Sequence, residues 1–238
     1  MVLFLTKARF FEARESPEDA PVILWLNGGP GCSSSTGLLF ENGPCTIADD
    51  GDSTVPNPYS WNNHFNVIYL DQPVNVGFSY ADKGAKEVSN SQAGGKDVYA
   101  FLQLFFGRFK EYADSPFHLA GESYAGIYIP NFATEIYQRN KQLQRRDNTS
   151  GPLKLINLTS LIIVNGLTDP LVQYASTVDY ICDNPYPGVF NSTECEEVKE
   201  AAPECTALIQ KCYNSPSTKV CLEAHRDCDA NLLEPPLG

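Results

Sequence analysis

Long apolar runs are missing from this sequence. No stretch of its 238 residues approaches the length of a membrane span, so no spanning helix is expected within them. Residues 2–5 are also too short for the apolar core of a secretory leader. Basic residues are few beside acidic ones, 17 against 29. The net charge of −12 disfavours nucleic acid or an anionic membrane surface as partner. There is no C-x-x-C pair, because the intervals 182–195, 205–212 and 221–228 are all longer. That sets zinc aside, and nothing else calls for a metal or an organic cofactor. No internal repeat is evident. Histidine is scarce, at His64, His118 and His225 only.

What is present is a core-forming composition, 42% hydrophobic with 13 Phe and 12 Tyr, enough for one sizeable core and a subdomain. Of eight cysteines, six lie between Cys182 and Cys228, which implies an oxidising compartment. Three sequons, at Asn148, Asn157 and Asn191, agree with passage through a glycosylating pathway. A secreted or vacuolar location is therefore expected. With no leader visible, Met1 is expected not to be the natural precursor start, or the chain to be a partial product.

The stretch that organises the chain is Phe117-His118-Leu119-Ala120-Gly121-Glu122-Ser123-Tyr124-Ala125-Gly126. A short apolar run, a glycine, a serine two residues later and then an apolar-periodic segment predict strand, sharp turn and helix. This is a nucleophile elbow, with Ser123 held above a sheet at a helix N-terminus. Ala125 replaces the last glycine of the strict G-x-S-x-G form, and Gly126 follows it. The competing reading is an ordinary helix N-cap serine.

Around it, continuous apolar runs at residues 22–26 and 67–70 predict strands buried on both faces. Residues 2–5 and 9–13 predict two further strands paired as a hairpin or edge pair. Residues 117–120 and 161–164 add two more, 32–41 a short helix, and 49–58 a polar turn region. Residues 91–112 predict a helix whose stripe of Val98, Phe101, Leu102, Phe105, Phe109 and Tyr112 reads as core packing. The helix after the elbow is predicted to run to about residue 144. The run Asn27-Gly28-Gly29-Pro30-Gly31, at the end of a buried strand, fits either a loop presenting backbone N–H groups to an oxyanion or a plain Gly-Pro turn. Strands alternate with helices to residue 166, which predicts an α/β core with a mostly parallel sheet over 1–169. From 170 to 238 cysteine, proline and acidic residues take over, as in a disulfide-stapled insertion.

Four long motifs in order identify a resemblance: Leu24-Trp25-Leu26-Asn27-Gly28-Gly29-Pro30-Gly31-Cys32-Ser33-Ser34; Tyr69-Leu70-Asp71-Gln72-Pro73-Val74-Asn75-Val76-Gly77-Phe78-Ser79-Tyr80; Gly121-Glu122-Ser123-Tyr124-Ala125-Gly126; and Asn165-Gly166-Leu167-Thr168-Asp169-Pro170. The chain resembles the serine carboxypeptidases, α/β-hydrolase-fold exopeptidases, and is most similar to their yeast and fungal branch. The resemblance implies Ser123 as nucleophile and the backbone N–H groups of Gly29 and Tyr124 as oxyanion donors. It implies that Asn27, Glu41, Glu122 and the Gly28 N–H hold the C-terminal carboxylate of a peptide or protein substrate. Thr36 and Phe40 would sit beside the leaving residue, and Leu167 and Tyr174 would line the pocket before the scissile bond. It also implies the bridges Cys182–Cys195, Cys205–Cys228 and Cys212–Cys221. The arithmetic of eight cysteines alone allows about 105 pairings, and Cys32 is left either free or paired with Cys45. Two carboxyls meeting a carboxylate repel it unless one is protonated, so recognition at Glu41 and Glu122 is expected to favour acid pH.

The resemblance covers only the family's N-terminal half. A serine nucleophile needs a histidine base and an orienting carboxylate, and none of His64, His118 and His225 matches the family's base position. Three accounts follow: a second polypeptide supplies Asp and His, the gene product is incomplete, or the protein is a non-catalytic binder of peptide carboxylates. The related acyltransferases and hydroxynitrile lyases use the same elbow, but Asn27, Glu41 and Glu122 favour a carboxypeptidase.

Overall fold

The computed structural model describes residues 4–5, 7–82, 84, 88–145, 151, 153–183 and 190–233. They form two compact units, Met1–Gly166 and Leu167–Gly238.

The first unit is built on a five-stranded sheet. Its strands are β2 (Ala8–Phe11), β3 (Val22–Leu26), β6 (Asn66–Leu70), β8 (Phe117–Glu122) and β9 (Leu158–Val164), in the order β2-β6-β3-β8-β9. Only β2 runs antiparallel, to β6; the pairs β3/β6, β3/β8 and β8/β9 are parallel. The short strands pair elsewhere: β1 (Phe4–Leu5) with β7 (Tyr80–Ala81), and β4 (Cys45–Ile47) with β5 (Thr54–Pro56). The expected hairpin of the first two strands is therefore corrected. Phe10 turns toward the helices and stacks edge-on against Phe105 and Tyr112, which carries β2 to the edge of the main sheet and leaves β1 to find β7. The region 49–58, read as turn only, contains β5, an exposed three-residue strand with no apolar alternation to announce it.

Strands β3 and β6 are buried along their whole length, as an apolar run without alternation requires when both faces are covered. The strand period of two divides their side chains. Val22, Leu24, Leu26, Ile68 and Leu70 pack in one cluster with Val98, Leu102, Phe105 and Phe106 of α1 (Ser91–Arg108) and Ile129, Phe132 and Ile136 of α2 (Ala125–Arg145). Ile23, Trp25, Val67 and Tyr69 pack in another with Leu38 and Trp61. Helix α1 is capped by Asn90, whose side chain accepts from the Ala93 N–H. It stops at Arg108, short of the predicted 112. Phe109 leaves helical geometry (φ −107°, ψ 77°) with its ring against Phe10 and Phe105, and Lys110–Tyr112 form a separate 3₁₀ turn. The short helix expected at 32–41 is a single π-helical turn, Gly37–Glu41. Strand β9 begins three residues earlier than expected and pairs on one side only among the described residues.

The second unit is helical, with α3 (Pro170–Cys182), α4 (Ser192–Asn214) and α5 (Thr218–Cys228). Disulfides join Cys182 to Cys195, Cys205 to Cys228 and Cys212 to Cys221. Its core contains Val178, Val198, Ile209, Ala224 and Leu232, with Cys205 and Cys228 buried among them. With cystines standing in as core residues, this unit needs few long apolar side chains. Cys32 and Cys45 are both free.

Candidate active site

The elbow sits where β8 passes into α2. Ser123 has φ +56°, a left-handed conformation that costs a non-glycine residue about 1–3 kcal/mol. It is held there by the Ser123 N–H donating to Val164 O at 3.0 Å and by the Gly126 N–H donating to Ser123 O at 3.0 Å. Small residues are needed at defined points. A Cβ on Gly121 would lie 2.3 Å from Leu26 O and 2.7 Å from the Ala125 Cβ. Ala125 therefore fits where the strict motif has glycine because Gly121 carries no side chain to meet it. Ser123 is exposed, and among the described residues its hydroxyl has no hydrogen-bond partner.

Against the elbow lies the loop after β3. A Cβ on Gly28 would fall 2.5 Å from Tyr124 N, 2.8 Å from Glu122 O and 2.8 Å from the Ser123 Cβ. Only a bare backbone can approach this closely. Gly29 (φ +108°) and Gly31 (φ +88°) turn the loop in the left-handed region. The Cys32 N–H closes it onto Gly28 O at 3.1 Å, and the Gly31 N–H donates to the Tyr128 hydroxyl at 3.1 Å. Among the described residues neither the Gly29 N–H nor the Tyr124 N–H has an acceptor, so both remain available to an anion at the elbow. Beside them opens a cavity of about 320 Å³ lined by residues that include Pro30, Gly31, Gln72, Pro73, Tyr124 and Tyr128.

Asn27 joins loop and elbow to the turn at Gly37–Glu41. It is 2% exposed. Its Oδ1 accepts from Trp25 Nε1 at 2.9 Å and from the Gly37 N–H at 2.9 Å. Two donors on one oxygen fix which way the amide points. Nδ2 therefore faces the carboxyls, donating to Glu41 Oε1 at 3.0 Å and to Glu122 Oε1 at 2.9 Å. Burial pushes the Glu41 pKa up, the Glu122 charge pushes it further, and the Asn27 hydrogen bond only partly opposes them. Two acidic groups thus share one amide beside Ser123, one of them biased toward its protonated, hydrogen-donating form.

Asp71 holds the loop from below, a role the sequence analysis did not assign. It is 1% exposed. Its Oδ1 accepts from Ser33 Oγ at 2.6 Å and the Ser34 N–H at 3.1 Å, and its Oδ2 accepts from the Phe78 N–H at 2.9 Å. Arg9 Nη1 lies 3.7 Å from Oδ2. Ser34 Oγ in turn donates to Leu70 O at 2.6 Å and accepts from the Asn27 N–H at 3.2 Å. The available signal was positional: a carboxylate directly follows a fully buried strand and must find donors where it lies.

The other predicted residues are placed as follows. Thr36 is exposed at the start of the π-helical turn, and Phe40 within that turn is 66% exposed. Leu167 and Tyr174 belong to the second unit, where the Tyr174 hydroxyl donates to Asp229 Oδ1 at 3.1 Å and its pKa is pushed up to about 12, first by burial. Each histidine has a side-chain partner: His64 with Glu15, His118 with Ser160 and His225 with Asp229. Asn157 is exposed and its Nδ2 donates to Asp114 O at 3.4 Å; Asn191 is exposed at the start of α4; Asn148 lies outside the described residues.

Comparison with known proteins decides the family, since the serine carboxypeptidase family model matches residues 9–233. The chain belongs to the serine carboxypeptidase family. It is 50% identical over 227 residues to carboxypeptidase Y homolog A of Arthroderma otae and, at the same identity and length, to carboxypeptidase Y of Candida albicans. Each match covers 95% of this chain and 39% of the relative, so the chain spans about two-fifths of the length of these serine carboxypeptidases. The crystal structure of Kex1Δp, a prohormone-processing carboxypeptidase from Saccharomyces cerevisiae, superposes with a TM-score of 0.77 at 30% identity, covering 98% of this chain and 48% of that one. The fold is accordingly that of the α/β-hydrolases, with the elbow on β8 and a disulfide-rich helical unit following.

Proposed function

We propose that this chain carries the nucleophile, oxyanion amides and carboxylate clamp of a serine-type carboxypeptidase acting on the C-terminal bond of peptides or proteins. The observation that carries the reading is the Asn27 amide shared between Glu41 and Glu122 next to Ser123. A simple esterase has no need of such a group, whereas a free peptide carboxylate needs one. Ser123 Oγ attacks the scissile carbonyl carbon, its proton passes to a base, and the carbonyl oxygen becomes an anion facing the Gly29 and Tyr124 N–H groups. The C–N bond breaks as the base returns the proton to the leaving amino acid, and water releases the acyl group from Ser123. The cavity beside Tyr124 offers room for the acyl part of the substrate. None of the three histidines matches the family's base position, so in this reading the base and its orienting aspartate come from a further segment or a second polypeptide. The disulfides and sequons support a secreted or vacuolar setting, and no helix of the described residues is long and apolar enough to cross a membrane.

The clamp sets a pH dependence. Binding a carboxylate favours the protonated form of the pair, so one proton is taken up on binding. Above the raised Glu41 pKa, affinity then falls about tenfold per pH unit. Affinity for a blocked dipeptide with a free carboxylate should fall from pH 4 to 7 in the wild type and stay nearly level in Glu122→Gln. The corresponding dipeptide amide should bind weakly throughout. Identical pH profiles for wild type and variant would remove the clamp from the account.

A further inference from the structure

The catalytic reading leaves the sequons unabsorbed, and one of them has a defined structural setting. Asn191-Ser192-Thr193 is a sequon, and the structure places it at the start of α4. The Asn191 side chain is the N-cap of this helix. Its Oδ1 accepts from the Thr193 N–H at 2.9 Å and the Glu194 N–H at 3.1 Å, and Glu194 Oε2 accepts from the Asn191 N–H at 2.7 Å. This reciprocal capping box uses the oxygen of the amide and leaves the nitrogen unused. Among the described residues Asn191 Nδ2 has no partner, and Asn191, Ser192 and Thr193 are all exposed. At Asn157, by contrast, Nδ2 already donates to Asp114 O.

We infer that Asn191 is an N-glycosylated helix cap, one side chain serving both roles. N-glycosylation forms a bond between the sugar C1 and Nδ2, displacing the lipid diphosphate of the donor and one amide proton. The product is still a secondary amide with its carbonyl intact. Oδ1 goes on accepting from Thr193 and Glu194, and the sugar leaves the helix on the free side of the amide. Modification and folding therefore do not compete. The glycan stands at the first turn of α4, which holds Cys195 of the Cys182–Cys195 bridge.

The test is site-resolved. The full chain, directed into the secretory pathway of a yeast host by an added leader, is digested, treated with peptide N-glycosidase in heavy-oxygen water and mapped by mass spectrometry. The expected result is conversion of Asn191 to labelled aspartate in the wild type, its loss in Thr193→Ala, and its return in Thr193→Ser. Thr193→Ala keeps the backbone N–H that Asn191 caps, so its melting temperature after deglycosylation should match that of the deglycosylated wild type. Unmodified Asn191 in the wild type, whether or not the other sequons are occupied, overturns the inference. So does a label that persists in Thr193→Ala.

Discussion

Gly28→Ala is expected to lower the stability of the first unit by about 1–3 kcal/mol and to abolish binding of peptide carboxylates. The methyl group would enter space already filled by Tyr124 N, Glu122 O and the Ser123 Cβ, all within 2.8 Å. Two of these are backbone atoms of the elbow, which cannot rotate away as a flexible side chain would. Relief requires moving either the glycine-rich loop or the elbow. Either movement separates Asn27 from Glu122 and the Gly29 N–H from the Tyr124 N–H. Urea unfolding followed by tryptophan fluorescence gives the stability term, and titration with a blocked dipeptide gives the binding term. Gly107→Ala is the control. It lies in α1 with nothing within 4 Å of an added Cβ, and should stabilise by about 0.5–1 kcal/mol by raising helix propensity. Equal effects at the two glycines would mean that close approach at Gly28 does not hold the site.

Asp71→Ala is expected to cost about 3–5 kcal/mol, the range for removing one partner of a buried charged network. The loss strands the Ser33 hydroxyl and the Ser34 and Phe78 N–H groups, and leaves the Arg9 cation without its buried counter-charge. Because Ser34 also carries the Asn27 N–H, the damage should reach the clamp, and carboxylate binding should weaken with the denaturation midpoint. Asp50 is the contrast. It too accepts from two backbone N–H groups and a hydroxyl, but in an exposed turn where water replaces every bond. Its alanine variant should melt with the wild type. If Asp71→Ala did so as well, the carboxylate would not be the anchor of the loop.

How much of this was legible in the sequence depends on the range of the forces involved. Strands β3 and β6 could be read because burial on both faces leaves an apolar run with no alternation, and that signal is local. The elbow was legible as a pattern, yet the tolerance of Ala125 was not. It follows from the missing Cβ of Gly121 and the approach of Leu26 O, a pairing made only by the β3/β8 register. Asp71 was visible within a motif but silent about its role, since its donors come from residues 33, 34 and 78 and its ion-pair partner from residue 9. Pairing of β1 with β7 escaped for the same reason, because neither two-residue strand carries a period. The three helices of the second unit were hidden by their core, where Cys205 and Cys228 occupy positions a periodic search expects leucine or isoleucine to fill. The carboxylate clamp came from family resemblance. The structure adds why Asn27 must point its nitrogen at the two glutamates.

The central claim is that Ser123 is a nucleophile aligned with a carboxylate clamp. The most direct measurement is covalent modification of the protein, purified together with any polypeptide that accompanies it, by a fluorophosphonate, with the adduct located by mass spectrometry. The reagent forms a bond from phosphorus to the serine oxygen and loses fluoride. The account predicts a single adduct on Ser123, suppressed by a blocked dipeptide with a free carboxylate and unaffected by the same dipeptide as its amide. An unmodified Ser123, or equal protection by acid and amide, would contradict it.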